Sequence, residues 1–305
     1  MDLSELKEAL ATVVAIPVTP FAADGSIDRV AYGANIRRTL TAGVSVMTPN
    51  GNTGEFYSLT PREMSQVLAD AVAAVGEGGL VLAGVGFAAD TAIEMAREAR
   101  SLGVKAVMVH QPVHPFRSAD GWLDYHRRIA DAVPELAIVP YLRDPEISAT
   151  MLSALAAACP NFVAIKYAVP NPLRFTDVVS QVGEERLTWI CGLAEGWAPY
   201  FWLGGARGFT SGLVNVTPGL SLRMLHGLEQ GDNDDAMAVW HLIRPFEALR
   251  ARRSNALNVS VVKEAMAQLD YCSRTVRPPI SELSDGERVE VQAALATMQI
   301  AQPVG

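Results

Sequence analysis

Apolar positions along the chain fall into short continuous runs separated by longer stretches in which apolar residues recur at helical spacing. Runs rich in Val, Ile, Leu and Ala, each closed by Gly, Pro, Asn or Asp, read as strands buried on both faces. The pattern predicts strands at residues 12–17, 44–49, 80–86, 104–110, 136–142, 161–169, 187–193 and 208–214. It predicts helices at 30–40, 61–75, 90–102, 120–133, 148–158, 173–182, 197–203 and 218–229. Thr60, Pro61 and Glu63 form a capping box with proline at the first helical position. Residues 1–10 read as a short acidic amphipathic turn.

Eight strands, each followed by a helix at intervals of roughly 25 residues, predict a (β/α)8 TIM barrel. The rival is an open doubly wound sheet. The strand count disfavours it, as does the lack of a Gly-rich dinucleotide fingerprint after the first strand. After the polar break at residues 231–234, helical spacing returns at 235–252, 260–269 and 281–298, the last opened by Ser281 and Glu282. The expected organisation is a catalytic barrel at residues 1–230 and a C-terminal three-helix extension at 231–305. Such an extension packs on its own barrel or supports oligomer contacts.

Composition narrows the function classes. The 305 residues are 50% hydrophobic, enough for a large core, and the net charge of -8 argues against nucleic acid as a partner. No basic run suggests a membrane surface and no apolar run approaches the roughly 18 residues of a spanning helix, so a cytoplasmic protein acting on small molecules is expected. Cys159, Cys191 and Cys272 are far apart and the five histidines are scattered. Neither a disulfide framework nor a metal site is indicated.

The run Asn161-Phe162-Val163-Ala164-Ile165-Lys166-Tyr167-Ala168-Val169 carries one lysine in its middle. An ammonium taken out of water sheds its proton unless it is paired. Lowering a lysine pKa from about 10.4 to about 7 takes roughly 4 to 5 kcal/mol of differential destabilisation, which an apolar site can supply. The neutral amine would attack a ketone and form a Schiff base. The alternative is that Lys166 leaves the strand end and pairs with a carboxylate.

In a barrel of this kind the reactive groups sit at the carboxyl ends of the strands. The second strand ends in Pro49-Asn50-Gly51-Asn52-Thr53-Gly54-Glu55, whose glycines and backbone N–H groups suit a carboxylate ligand, although a structural turn has the same look. Tyr141, ending the fifth strand, can move protons near a Schiff base or can simply pack. Arg143 could grip a distal carboxylate in a bidentate fork, or Arg143 and Asp144 could pair with each other or with neighbouring loops. Glu55 is read as a hydrogen-bond partner of the loop or helix rather than a general base.

Gly51-Asn52-Thr53-Gly54-Glu55, followed by Tyr141 and then by Lys166 one βα unit later, resembles the family of dihydrodipicolinate synthase and N-acetylneuraminate lyase along the whole chain. Glu55-Phe56-Tyr57-Ser58-Leu59-Thr60-Pro61 and Tyr141-Leu142-Arg143-Asp144 are most similar to the branch holding 5-dehydro-4-deoxyglucarate dehydratase. The resemblance implies that Lys166 is the Schiff-base lysine, Tyr141 the phenol that shuttles protons, and Thr53 the hydroxyl bonded to it. It also implies that Asn52 and Thr53 hold the carboxylate beside the keto group and that Gly192 and Ser211 line the site, Ser211 being otherwise an ordinary hydroxyl. The covalent imine would serve in place of any cofactor, the substrate would be a 2-keto acid, and the protein a homo-oligomer, dimer or tetramer.

Two departures weigh against the pyruvate-condensing members. Glu146 stands near the position of their arginine, and the loop His110-Gln111-Pro112-Val113-His114-Pro115-Phe116-Arg117 lacks the tyrosine they borrow from a neighbouring subunit. His114 is a candidate replacement, or a solvated loop residue. The expected function is a Schiff-base-forming lyase that dehydrates and decarboxylates a deoxy keto-sugar diacid such as 5-dehydro-4-deoxyglucarate. The alternatives are a class I aldolase of the same family, cleaving a 2-keto-3-deoxy or sialic-acid-like acid, dihydrodipicolinate synthase-type condensation, and a non-catalytic regulatory barrel. Intact Thr53, Tyr141 and Lys166 count against the last.

Overall fold

The computed structural model describes residues 1–300. Eight strands close in chain order into the expected (β/α)8 barrel, with helices between them and more at the carboxyl end. The elements are α1 (Leu3–Ala9), β1 (Val13–Ala15), α2 (Arg29–Thr41), β2 (Val46–Met47), α3 (Pro61–Val75), β3 (Leu80–Val85), α4 (Ala89–Ser101), β4 (Ala106–Val109), α5 (Ala119–Ala132) and β5 (Ala137–Leu142). They continue with α6 (Ala149–Ala158), β6 (Ala164–Tyr167), α7 (Pro172–Val182), β7 (Thr188–Cys191), α8 (Ala198–Leu203), β8 (Gly208–Ser211), α9 (Pro218–Gln230), α10 (Asn233–Asn255), α11 (Asn258–Gln268) and α12 (Asp285–Thr297). Among the described residues no helix is long and apolar enough to cross a membrane.

The strands are shorter than the apolar runs that announce them. Residues 161–169 are all buried, yet only Ala164–Tyr167 lies in the ladder, with Phe162 making a lone bridge to Ile138. Two element boundaries differ from expectation for capping reasons. The N-terminal turn is a helix because the Asp2 carboxylate accepts from the N–H groups of Ser4 and Glu5 while Glu5 reaches back to Asp2. The last helix starts at Asp285, not near Ser281, because Ser284 and Glu287 make the reciprocal capping box that Ser281 and Glu282 cannot.

Contacts divide the chain into two compact units. The first comprises Met1–Val14 and Leu80–Thr210. Its order is set by an aromatic wedge behind β6 and β7: Phe175 of α7 lies 4.6 Å from Phe201 of α8, 5.1 Å from Tyr167 and 5.8 Å from Trp189, centroid to centroid. Because neighbouring side chains on a strand face opposite ways, seating Tyr167 against the helices turns Lys166 toward the barrel interior. The Asn161 amide fixes the entry to β6 by donating to the carbonyls of Ala130, Val133 and Leu136.

The second unit comprises Ala15–Gly79 and the chain from Ser211 onward. Asn215 ties the exits of β1 and β8 together, accepting from the Val18 N–H at 3.0 Å and donating to the carbonyls of Ile16 and Gly212. The loop after β2 is held from the carboxyl-terminal helices. Lys263 of α11, buried, pairs with the Glu55 carboxylate, donates to the Thr275 carbonyl at 2.8 Å, and sits 4.0 Å from the Phe21 ring centroid. Glu55 also accepts from the Arg277 N–H at 2.9 Å. The Arg277 guanidinium in turn grips both oxygens of Glu63 and holds that carboxyl down at about 2.

Burial pulls the Lys263 amine below its ordinary value, and Glu55 opposes that pull. Removing one partner of such a buried pair strands the other charge, a loss of about 3 to 5 kcal/mol. Lys263→Ala is therefore expected to lower the urea midpoint by that amount of stability, with Lys263→Met/Glu55→Gln recovering part of it. A single-variant loss below about 1 kcal/mol, the scale of an exposed pair, would contradict this.

Candidate active site

The lysine of β6 is 4% exposed, and its Nζ lies 4.0 Å from the centroid of the Tyr141 ring. Strand register makes this neighbourhood. Tyr141 of β5 pairs with Lys166 across the ladder, and Lys166 with Ile190 of β7. Burial brings the Lys166 amine down to about 7, and the positive charge of Arg143 pushes the same way. Burial also pushes the adjacent Cys191 thiol up to about 12, so no thiolate offsets the effect near neutrality.

Gly192 is required by the lysine itself. A Cβ there would lie 2.9 Å from Lys166 Cγ and from Ala168 Cβ, too close for any side chain, while the Gly192 N–H donates to the Tyr167 carbonyl at 2.7 Å. Arg143, exposed at the end of β5, has its guanidinium carbon 6.0 Å from the Tyr141 centroid. Asp144 does not pair with it. Its carboxylate accepts from Arg117 Nε at 2.7 Å, which leaves Arg143 the cation facing the tyrosine. The Gln111 amide binds the same region together: its nitrogen donates to the Tyr141 carbonyl at 3.1 Å and its oxygen accepts from Arg117 Nε at 3.3 Å.

The two histidines of the loop after β4 have different settings. His114 is exposed, and its ring Nδ1 accepts from the Phe116 N–H at 3.1 Å, a local turn contact. His110 is 1% exposed, continues the ladder by donating its N–H to Val85, and lies edge-on to Tyr141 with centroids 6.3 Å apart. Sequence reasoning singled out the first and passed over the second. The available signal was that His110 is the first residue past the end of β4, where barrels place reactive groups.

In the second unit, residues 52–54 form a 3-10 turn after β2, and both glycines of the loop are packing requirements. A Cβ on Gly51 would meet Ile16 at 2.5 Å and one on Gly54 the Pro17 carbonyl at 2.8 Å. The Gly54 carbonyl accepts from the Thr19 hydroxyl at 2.7 Å, which fixes the turn. Thr53 is 7% exposed, and the buried Asn52 Oδ1 has no partner among the described residues. Glu55 is taken up by Lys263, as the loop-partner reading expects. Ser211, fully buried, has its hydroxyl 3.3 Å from that of Ser221 and accepts from the Val214 N–H at 3.0 Å, so it braces the turn after β8.

Lys166, Tyr141, Arg143 and Gly192 are thus grouped within the first unit, while Asn52, Thr53 and Ser211 belong to the second. Around Lys166 the arrangement supplies a poised amine, a phenol and a guanidinium, the parts needed to form and deprotonate an imine of an acidic ketone.

A model of the dihydrodipicolinate synthetase family matches residues 9–298. A protein of Rhodococcus opacus (strain B4), named probable 5-dehydro-4-deoxyglucarate dehydratase, is 33% identical over 284 residues, 92% of each chain. One of the same name from Methylobacterium radiotolerans is 33% identical, covering 97% of this chain and 98% of its own. The crystal structure of dihydrodipicolinate synthase from Bacillus clausii is 42% identical with a TM-score of 0.93, covering 96% of this chain and 99% of its own.

The lowered pKa of Lys166 has a sign that can be checked twice. Below about pH 7 the folded and unfolded chains both hold the proton and the full burial penalty applies. Between about 7 and the ordinary lysine value only the unfolded chain binds it, so folding stability rises with pH. Lys166→Met is accordingly expected to be more stable than the parent at pH 6, by up to roughly 4 kcal/mol, with the gap closing toward pH 10. Borohydride trapping of a pyruvate imine should rise through about pH 7 and level off, and should vanish in Lys166→Met. Denaturant melts at several pH values and mass spectrometry of the adduct make the two checks; a stability gap independent of pH would contradict the assignment.

Proposed function

The chain belongs to the dihydrodipicolinate synthetase family, and on that premise we propose that it is a Schiff-base-forming lyase that dehydrates and decarboxylates a deoxy keto-sugar diacid, 5-dehydro-4-deoxyglucarate or a near relative. The observation that carries the lyase reading is the buried Lys166 amine, brought down to about 7 beside the Tyr141 ring. The neutral amine attacks the keto carbon, water leaves, and the protonated imine acidifies the adjacent carbon. Tyr141 takes and returns the proton there. Asn52 and Thr53 hold the carboxylate beside the imine, and Gly192 lines the site by leaving room for the lysine.

The deprotonated imine can expel a β-hydroxyl, and the conjugated imine so formed can accept the electron pair left when a distal carboxylate departs as carbon dioxide. Which bond breaks depends on how the far end of the substrate is held. Arg143 supports the diacid: it is exposed, is not engaged by Asp144, and faces the tyrosine. The curated relatives carry the dehydratase name at 33% identity over most of the chain. A second reading, condensation of pyruvate with a semialdehyde, is favoured by the higher identity to a structure described as dihydrodipicolinate synthase. The absence of a tyrosine from residues 110–117 and Glu146 at the arginine position count against it.

The proposal needs no cofactor beyond the imine on Lys166. It extends to a cytoplasmic homo-oligomer, dimer or tetramer, for which Leu173 and Leu203 leave exposed apolar surface.

Incubation with 5-dehydro-4-deoxyglucarate is expected to release carbon dioxide and a semialdehyde. Arg143→Ala should raise KM about tenfold or more for diacids and much less for monoacids, the loss expected for one charge-assisted contact. Pyruvate released from a 2-keto-3-deoxy monoacid, or condensation of pyruvate with a semialdehyde, with no turnover of the diacid, would overturn the dehydratase reading in favour of the corresponding alternative.

A further inference from the structure

Elimination of a β-hydroxyl moves two protons: one leaves the carbon beside the imine, and another must reach the departing oxygen, because hydroxide is a poor leaving group. A single phenol does not serve both positions at once. Within the first unit, strand register aligns three chemistry-bearing side chains. Val109 pairs with Pro140, which brings the next residues, His110 and Tyr141, to the same level, and Tyr141 pairs with Lys166. Adjacent strands are about 4.8 Å apart, so the row runs Lys166, Tyr141, His110 in order, with the lysine amine 4.0 Å and the imidazole centroid 6.3 Å from the centre of the tyrosine ring. The substrate has the same order: keto carbon, α-carbon, β-hydroxyl. The other proton carriers nearby are accounted for, since Asp144 is held by Arg117, His114 caps its own turn, and Glu146 is exposed with its N–H donating to Asp144.

We propose that His110 is a second catalytic group of this site, the acid that protonates the leaving β-hydroxyl of a 2-keto acid held as an imine on Lys166. The inference rests on the dehydratase reading. In the step, the Tyr141 phenol passes its proton to the His110 imidazole as the α C–H bond breaks, and the proton from carbon replaces it on Tyr141. The electron pair forms the enamine, which then breaks the β C–O bond to give a conjugated iminium. The departing oxygen takes the imidazolium proton and leaves as water. The phenol and the neutral imidazole are thereby restored, with no oxidant or reductant consumed.

His110→Gln, close in size and able to hydrogen-bond, tests the assignment on three reactions. Pyruvate, which has no β-hydroxyl, should still be trapped on Lys166 by borohydride within about twofold of the parent. Dehydration of the β-hydroxy diacid should fall about 10²- to 10⁴-fold, the usual contribution of a general acid. The same diacid with fluorine in place of the β-hydroxyl loses fluoride, which needs no proton, and the variant should release it at nearly the parental rate. A variant that dehydrates the hydroxy substrate as the parent does overturns the inference. So does one that loses trapping and fluoride release together with dehydration, since that is the behaviour of a packing residue. A parent protein that eliminates neither group overturns the dehydratase reading itself, and the role of His110 with it.

Discussion

The structure is organised by the burial of one amine. Bringing the Lys166 pKa down to about 7 corresponds to roughly 4 to 5 kcal/mol against the charged form, comparable to a large part of a domain's net stability. The first unit sustains this through packing. The aromatic wedge of Tyr167, Phe175, Trp189 and Phe201 commits the outer face of β6 and β7, which leaves the lysine no route but inward. Gly192 clears its path, and Arg143 adds a like charge from the strand end.

A second buried lysine shows what the alternative looks like. Lys263 is as deeply buried as Lys166, but it pairs with the Glu55 carboxylate and donates to the Thr275 carbonyl, and the favourable charge of Glu55 opposes the pull of burial. Its work is to hold the loop after β2 from α11. The same side chain thus has two fates, set by its surroundings: a carboxylate partner makes a structural tie, and apolar walls with a neighbouring cation draw the amine down toward neutrality, as the proposed chemistry requires.

The barrel and the buried lysine are legible in the sequence because each depends on local pattern, whereas the role of Tyr141 comes from the family resemblance. Eight apolar runs count strands, and a charge in the middle of such a run has few explanations. What the sequence leaves open depends on partners far along the chain. Arg143 and Asp144 could pair with each other, with neighbouring loops or face substrate; Arg117 of the loop after β4 takes Asp144, which leaves the guanidinium of Arg143 toward Tyr141. Glu55 could be read as a loop partner, but nothing local named Lys263. Ser211 is a site residue only by the resemblance, and its contacts with Ser221 and Val214 have no local signal in the sequence. His110 was passed over for His114, although the strand-end rule pointed to it. The start of α12 was legible too, since Ser284 and Glu287 have capping-box spacing and Ser281 and Glu282 do not.

The central claim is the protonation state of one side chain, and it can be read directly. Lysine labelled with carbon-13 at the ε position, with Lys166→Met used to assign the resonance, gives an NMR titration of that amine in the resting protein. The expected midpoint lies near pH 7, well apart from the other lysines. A Lys166 resonance that titrates with them, near the ordinary value of about 10.4, would contradict it.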